Sequence, residues 1–269
     1  MDIPSSKWYL AINKRRSRRQ FMPRPLEPEL QERMRTVCVE FRPFPETRAV
    51  LVNQSPDRVF KGLLGHYGKI KGATAFIAYV GNMDSPNVQE KLGYMGEGIV
   101  LEATSLGLST CWVGGFFKPE VAAPLAGATK SEKVLAVTPI GYPREDWSLE
   151  EKLMTGFGRN HRRKPLAELV LGTPEPHCPP WVKSALEAAR LAPSAVNRQP
   201  WRFTVSADAV TVSVDNLNDT YNISKRLDCG IAMLHLELAA LFHGSRGKWE
   251  FLNAPKVACY KEDLVQVGF

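Results

Sequence analysis

Apolar residues recur along this chain at two periods, and the switches between them mark out its elements. Leu30, Met34, Val37 and Phe41 fall at helical spacing and predict an amphipathic helix over Glu29–Phe41. Arg48–Asn53 reads as a short strand. Ala73–Val80 is a nearly continuous apolar run rich in β-branched and aromatic residues, the pattern of a strand covered on both faces. Met95, Ile99, Val100, Ala103 and Leu106 share one face of a helix predicted over Gly93–Leu108, and Val134–Ile140 reads as a second buried strand.

The second half repeats parts of this plan. Val182, Ala185, Leu186 and Ala189 line one side of a helix over Trp181–Leu191. Phe203–Ser206 and Val210–Val214 are short strands, and the alternation Val210-Thr211-Val212-Ser213-Val214 predicts one exposed face. Ile231, Leu234, Leu238 and Leu241 align on a long helix over Cys229–His243. Between the halves runs a Pro-rich connector, Leu171–Pro180. Helix, strand, helix, strand in the first half is thus echoed by helix, strands, helix in the second. The two long helices also resemble each other locally, Gly98-Ile99-Val100-Leu101-Glu102-Ala103 against Gly230-Ile231 followed by Leu236-Glu237-Leu238-Ala239. Amphipathic helices look alike, so this echo alone does not establish a repeat.

Composition narrows the class. With 269 residues, 44% hydrophobic and 23% charged, the chain can bury a sizeable core and is not a disordered polyelectrolyte. No apolar run approaches the roughly 20 residues that span a bilayer. The segment Met1–Lys7 lacks the apolar core of a secretory signal, and a cytoplasmic location is expected. Five widely spaced cysteines without a C-x-x-C pair argue against a disulfide framework or a structural zinc site, and the histidines show no ligand spacing. No metal is expected.

The net charge of +7 suits an anionic ligand or a polyanion, and composition does not choose between them. The charge is concentrated in Lys14–Arg19 and His161–Lys164. Arg15-Arg16-Ser17-Arg18-Arg19-Gln20-Phe21 can be a solvated run, a nucleic-acid patch, or a set of side chains converging on one phosphate. Arginine suits the last task because its planar fork binds phosphate oxygens bidentately. In Ala192–Trp201, Pro193 stops the preceding helix, and Ser194 and Asn197 then offer hydrogen bonds from a tight turn. That is either an ordinary helix-to-strand loop or the edge of a site for a planar polar heterocycle. In Gly107–Phe116, the pair Gly114-Gly115 would let a ligand approach backbone N–H groups closely. No G-x-G-x-x-G dinucleotide fingerprint follows a strand.

Together these segments resemble the flavin-dependent nitroreductase family. Its Arg-x-Ser-x-[Lys/Arg]-x-Phe strand is matched from Arg15 to Phe21, and its Ala-Pro-Ser-x-x-Asn-x-Gln-Pro-Trp turn from Ala192 to Trp201. Its Gly-Leu segment after the central helix is matched by Gly107–Phe116, its Ile-Gly-Tyr-Pro strand end by Ile140–Pro143, and its Arg-x-Pro-Leu-x-x-x-Val tail by Arg163–Val170. The order departs from the family's. Typical members carry the Arg-x-Ser strand and the Pro-Ser turn within about thirty residues of each other; here the turn heads the second half. Where the first half would carry it stands Cys38–Phe44, and no Arg-x-Ser strand precedes the second-half helix. Family members are homodimers with flavin at the interface, so a fused, diverged duplication would imitate that dimer within one chain.

The resemblance implies an α+β nitroreductase-like fold: a central, mainly antiparallel sheet flanked by helices, in one domain over 1–269. Half-repeats of about 1–172 and 173–269 would be related by a pseudo-twofold axis, and the chain would be a monomer. It implies FMN held by Arg15, Arg16, Ser17, Arg19 and Arg163 at the phosphate and ribityl chain, with His161 as a helper. Pro193, Ser194 and Asn197 would pack on the ring, and the N–H groups of Gly114 and Gly115 would meet its edge. Many relatives carry glutamate where Gly114 stands. The implied activity moves electrons from NAD(P)H to a nitro, quinone or similar small acceptor by a ping-pong cycle, with no dedicated catalytic acid or base. The alternative is a non-catalytic or degenerate flavin binder that has lost turnover. A nucleic-acid partner is disfavoured because the basic runs abut Pro and apolar strand signals.

Overall fold

The computed structural model describes residues 1–54, 56–60, 70–144, 162–172, 179–219 and 222–263. The apolar run predicted as a doubly covered strand forms β2 (Ala75–Asn82). Its alternate residues enter two different cores, as the period of two requires. Ala75, Ile77 and Tyr79 join the main cluster, whereas Phe76, Ala78 and Val80 join a smaller one with Val59, Phe60, Phe117 and Ala122. Antiparallel neighbours of β2 are β1 (Thr47–Val52) and β4 (Glu132–Gly141), and β3 (Ser109–Thr110) pairs with the end of β4. A register shift at Tyr79/Val80 pairs Tyr79 with Ala136 and Val80 with Val134, so Leu135 and Ala136 both turn to the main core.

A second antiparallel sheet has β5 (Trp201–Val205), β6 (Ala209–Val214), β7 (Gly247–Phe251) and β8 (Lys256–Glu262). Trp201, Phe203, Val205, Val210, Val212 and Val214 face the main core, while Thr211 and Ser213 are half-buried, the one-sided pattern the alternation predicts. The expectation of one central sheet is therefore corrected. Among the described residues there are two four-stranded sheets, ordered β1-β2-β4-β3 and β5-β6-β8-β7. Each covers its own long helix, α4 (Val88–Ser105) against β1 and β2 and α8 (Lys225–Phe242) against β5 and β6, and these helices pack on each other. Among the described residues the sheets are joined through helices and share no strand edge.

The helix–helix crossing is set by two glycines. A Cβ on Gly93 would lie 2.1 Å from the carbonyl oxygen of Leu227, and one on Gly230 would lie 1.9 Å from that of Glu90. Only glycine lets the two backbones come this close. The other helices among the described residues are α1 (Ser5–Lys14), α2 (Pro28–Glu40), α3 (Pro56–Phe60), α5 (Pro119–Leu125), α6 (Leu166–Leu169) and α7 (Pro180–Arg190). The unpredicted α1 sinks Trp8, Ala11 and Ile12 against α4 and α8, and Trp8 Nε1 donates to Glu102 Oε2 at 2.7 Å. The α7 helix packs on α8. Cys38, Cys111, Cys229 and Cys259 are buried free thiols, and Cys178 lies outside the described residues.

Candidate functional site

The basic run is a strand segment added to the first sheet. Arg15 caps α1 with its N–H on Ala11 O (2.9 Å), and the chain then extends. Ser17 bridges Thr110 in parallel, Arg18 N donates to Thr110 O at 2.9 Å, and Phe21 bridges Pro143. Arg18 Nη2 reaches Arg144 O (2.9 Å), and the half-buried Arg19 accepts from Lys71 N through its carbonyl. Arg16 is exposed and folds back on Asn13 O and Arg15 O, each at 2.8 Å.

Arg15 is the buried member, 7% exposed. Its Nη1 donates to Ser17 Oγ at 3.3 Å, but its Nε has no hydrogen-bond partner among the described residues. Glu97 Oε1 lies 3.9 Å from that Nε, an ion-pair distance too long for a hydrogen bond. Burial pushes the Arg15 guanidinium below its ordinary pKa; Glu97 opposes this and Arg16 adds to it.

The Pro-Ser turn follows α7. Val196, Asn197 and Gln199 all have φ near +50° (48°, 55° and 48°), a left-handed conformation that is costly for side chains other than Gly, Asn or Asp. A dense set of hydrogen bonds imposes it. Asp228 accepts from Ala195 N (3.1 Å) and from Arg198 Nε (2.7 Å), and Ser194 Oγ accepts from Gln199 N (2.9 Å). Gln199 Oε1 accepts from Lys164 N (2.8 Å), and Gln199 Nε2 donates to Arg162 O (3.1 Å). Asn197 is engaged at both ends, Nδ2 on Arg162 O (3.0 Å) and Oδ1 under Arg163 Nη1. Asn197 therefore shapes the turn with the same groups expected to face a ligand. Pro193 is buried at the head of the turn. Burial pushes the Asp228 carboxyl up to about 6 against the pull of Arg198 and the Ala195 amide.

The glycine segment approaches the same region from the first half. Val113 pairs with Val137, after which Gly114 is half-buried and Gly115 exposed. A Cβ on Gly114 would lie 3.2 Å from Ile223 Cγ2, and Ile223 O accepts from Arg198 Nη2 at 2.9 Å. The small residue at this position fits the close second-half loop, where a glutamate would press on Ile223.

Arg163 joins the pieces. Besides Asn197 it holds Leu191 O through Nη2 at 3.1 Å. Burial lowers its pKa to about 10, and Arg15, Arg190 and Arg16 push the same way while Glu97 opposes them. The basic segment, the tail before Pro165 and the Pro-Ser turn thus meet around a concentration of positive charge. An unpartnered buried guanidinium N–H beside further arginines fits a multiply charged oxyanion. His161 lies outside the described residues. The residues missed from sequence are Glu97, Trp112, His235 and Asp228. Glu97 carried no distinguishing signal, since Glu90 and Glu102 are buried acids on the same helix. Among the described residues no His, Cys, Asp and Glu group could hold a metal, and no helix is long and apolar enough to cross a membrane.

Comparison with known proteins agrees with this fold. A crystal structure of a putative nitroreductase from Thermotoga maritima superposes with a TM-score of 0.63 at 20% identity, covering 95% of this chain and 93% of that one. A nitroreductase family protein from Clostridium difficile 630 is 21% identical over 60% of this chain and 94% of its own, with a TM-score of 0.44. No curated protein matches the chain. The family described as "Putative TM nitroreductase" matches residues 7–240, nearly the whole of the chain, and the protein belongs to that family.

Proposed function

We propose that this protein is an FMN-dependent oxidoreductase that moves electrons from NAD(P)H to a nitro, quinone or similar small acceptor. The observation that carries this reading is the meeting of Arg15 and Arg16 with Arg163 and Asn197, three motifs far apart in sequence converging where a buried Arg15 Nε lacks a hydrogen-bond partner among the described residues. Arg15, Arg16, Ser17, Arg19 and Arg163 would surround the phosphate and ribityl chain. Pro193, Ser194 and Asn197 would give the ring a shaped wall, and Gly114 and Gly115 would offer backbone N–H groups at its edge. When bound, FMN supplies the redox chemistry, accepting hydride from NAD(P)H and reducing the acceptor in alternate visits to one pocket. The chain's own work is binding, orientation and positive charge, and we assign it no catalytic acid or base.

The same reading makes the chain a duplicated unit with half-repeats of about 1–172 and 173–269. Its supports are the matching strand orders, a register shift in a central strand of each sheet, and the reciprocal glycine contacts of α4 and α8. The first half keeps the phosphate strand and the second keeps the turn, so one composite site would replace two. An internal partner already covers both long helices, which favours a monomer.

The test is an absorbance spectrum after incubation with FMN and removal of the excess, followed by anaerobic NADH or NADPH. Retained flavin that bleaches supports the oxidoreductase. Flavin that binds but stays oxidised supports a redox-silent binder, and a protein that never takes up FMN overturns the reading.

A further inference from the structure

Glu97 and His235 form a buried pair that the flavin reading does not use, and their hydrogen bonds fix the pair's proton count. Both side chains are fully buried. His235 Nδ1 lies 3.0 Å from Ala188 O, and Nε2 lies 2.9 Å from Glu97 Oε1. A carbonyl oxygen only accepts, so Nδ1 carries hydrogen. A lone pair on Nε2 would then face a lone pair on Oε1 at hydrogen-bond distance, unless one more proton sits between them. The other neighbours of Glu97 decide where that proton rests. Trp112 Nε1 donates to Oε2 at 2.7 Å, and the Arg15 guanidinium lies 3.9 Å from Oε1. Both stabilise negative charge on Glu97.

The pair sits where five segments converge: Glu97 on α4, His235 on α8, Ala188 on α7, Arg15 after α1 and Trp112 after β3. Arg163 and Tyr79 also feel the charge of Glu97, and Cys111 acts on Arg15. Tyr79 stacks on the Trp112 ring with centroids 4.7 Å apart. Trp112 stands two residues before Gly114, with Val113 between them. One carboxylate therefore holds both the buried arginine of the phosphate strand and the aromatic root of the glycine segment, and the second half's histidine holds that carboxylate.

We propose that Glu97 and His235 are an imidazolium–carboxylate positioning pair that fixes Arg15 and Trp112 for anion and ring binding across the two halves of the chain. This rests on the flavin reading for its consequence but not for its protonation state. Losing Glu97 leaves Arg15 and His235 without their buried counter-charge; the ring gives up its proton and the arginine loses its placement.

The test uses flavin-free full-length protein with ¹⁵N-labelled histidine at pH 8, where an exposed histidine is neutral. One of the five rings should show two equivalent, protonated nitrogens, and His235→Asn should remove that signal. In Glu97→Gln the same ring should become neutral, and the FMN dissociation constant, read by flavin fluorescence quenching, should rise about 10- to 100-fold. Glu97→Asp, one methylene short of both partners, should not restore it. A neutral His235 ring in the wild type overturns the pair, as does an imidazolium that survives Glu97→Gln. An unchanged FMN affinity in Glu97→Gln overturns the positioning role. If the wild type binds no FMN, the flavin reading fails instead, and the ring signature alone decides whether the pair exists.

Discussion

The Arg163 guanidinium donates through Nη1 to Asn197 Oδ1, bridging the tail before Pro165 to the Pro-Ser turn. The same cation lies in the field of Arg15, Arg190 and Arg16, which with burial bring its pKa down to about 10. Repelled by three neighbours and only half exposed, it gains from any anion that settles among them. Arg163→Ala should weaken FMN binding about 10- to 100-fold, the value of one or two charge-assisted hydrogen bonds. Arg163→Lys should recover part of that loss, since it restores charge without the fork. Equilibrium titration with FMN checks both, and an unchanged affinity in Arg163→Ala removes this residue from the site.

The α4–α8 crossing should tolerate no side chain at either glycine. A Cβ added at Gly93 or Gly230 would meet a carbonyl oxygen at 2.1 or 1.9 Å, so alanine must force the helices apart, and both helices line the main core. Each substitution should cost about 3 kcal/mol, or roughly 5 °C in Tm for a chain of this size. Gly244→Ala is the control: its φ of +83° is strained for alanine, but nothing lies within 4 Å. That change should cost only about 1 kcal/mol. Equal losses at all three positions, read by thermal unfolding, would show that the crossing is not the tight contact.

How much of this is legible in the sequence depends on whether the signal is periodic or spatial. The run Ala75–Val80 announces a strand covered on both faces, because every residue in it is apolar and both cores receive some of them. The helix α1 escapes such a reading because its buried face is only Trp8, Ala11 and Ile12, set beside a charge run that dominates the segment. The strand β7 alternates exposed Lys248 and Glu250 with half-buried neighbours and offers little apolar signal. Two sheets in place of one cannot be read at all, since periodicity says which face is buried and not which strand is a neighbour. The likeness of Gly98-Ile99 to Gly230-Ile231 is misleading in register: Gly98 packs on Phe41 and Trp8, whereas the reciprocal partner of Gly230 is Gly93. In the site, the arginines and the turn carry motifs. Glu97 and His235 are single residues 138 positions apart, and only the crossing of their helices makes them a pair.

A monomer should persist across concentration. The long helices, whose counterparts the family's homodimers are expected to bury, already pack on each other within the chain. Sedimentation equilibrium should give one species near 30.0 kDa from micromolar to hundred-micromolar protein, with or without FMN. A stable dimer would mean that another face is used and would remove this support for the duplicated reading.

Asp228 should make stability and ligand binding respond to pH in opposite directions. Its carboxyl is buried and has its pKa raised from 3.8 to about 6, so the fold favours the protonated form. An acid raised in the folded state contributes stability that is present below the unfolded pKa and lost as pH rises through the folded one. The stability of wild type relative to Asp228→Asn should therefore fall by roughly 3 kcal/mol between pH 4 and pH 6, then stay level. The ionised form, however, is the one that makes the ion pair with Arg198 at 2.7 Å and draws in the Ala195 amide. Those contacts hold Val196, Asn197 and Gln199 in their left-handed conformations, so the turn is best formed above pH 6. FMN affinity in the wild type should accordingly drop below about pH 6. The flavin phosphate also titrates near pH 6, and comparison with Asp228→Asn separates the two effects. The variant should show only the phosphate's share of the pH dependence and should bind more weakly than wild type at pH 8. Parallel pH dependences in the two proteins would mean that the Asp228 charge does not shape the turn.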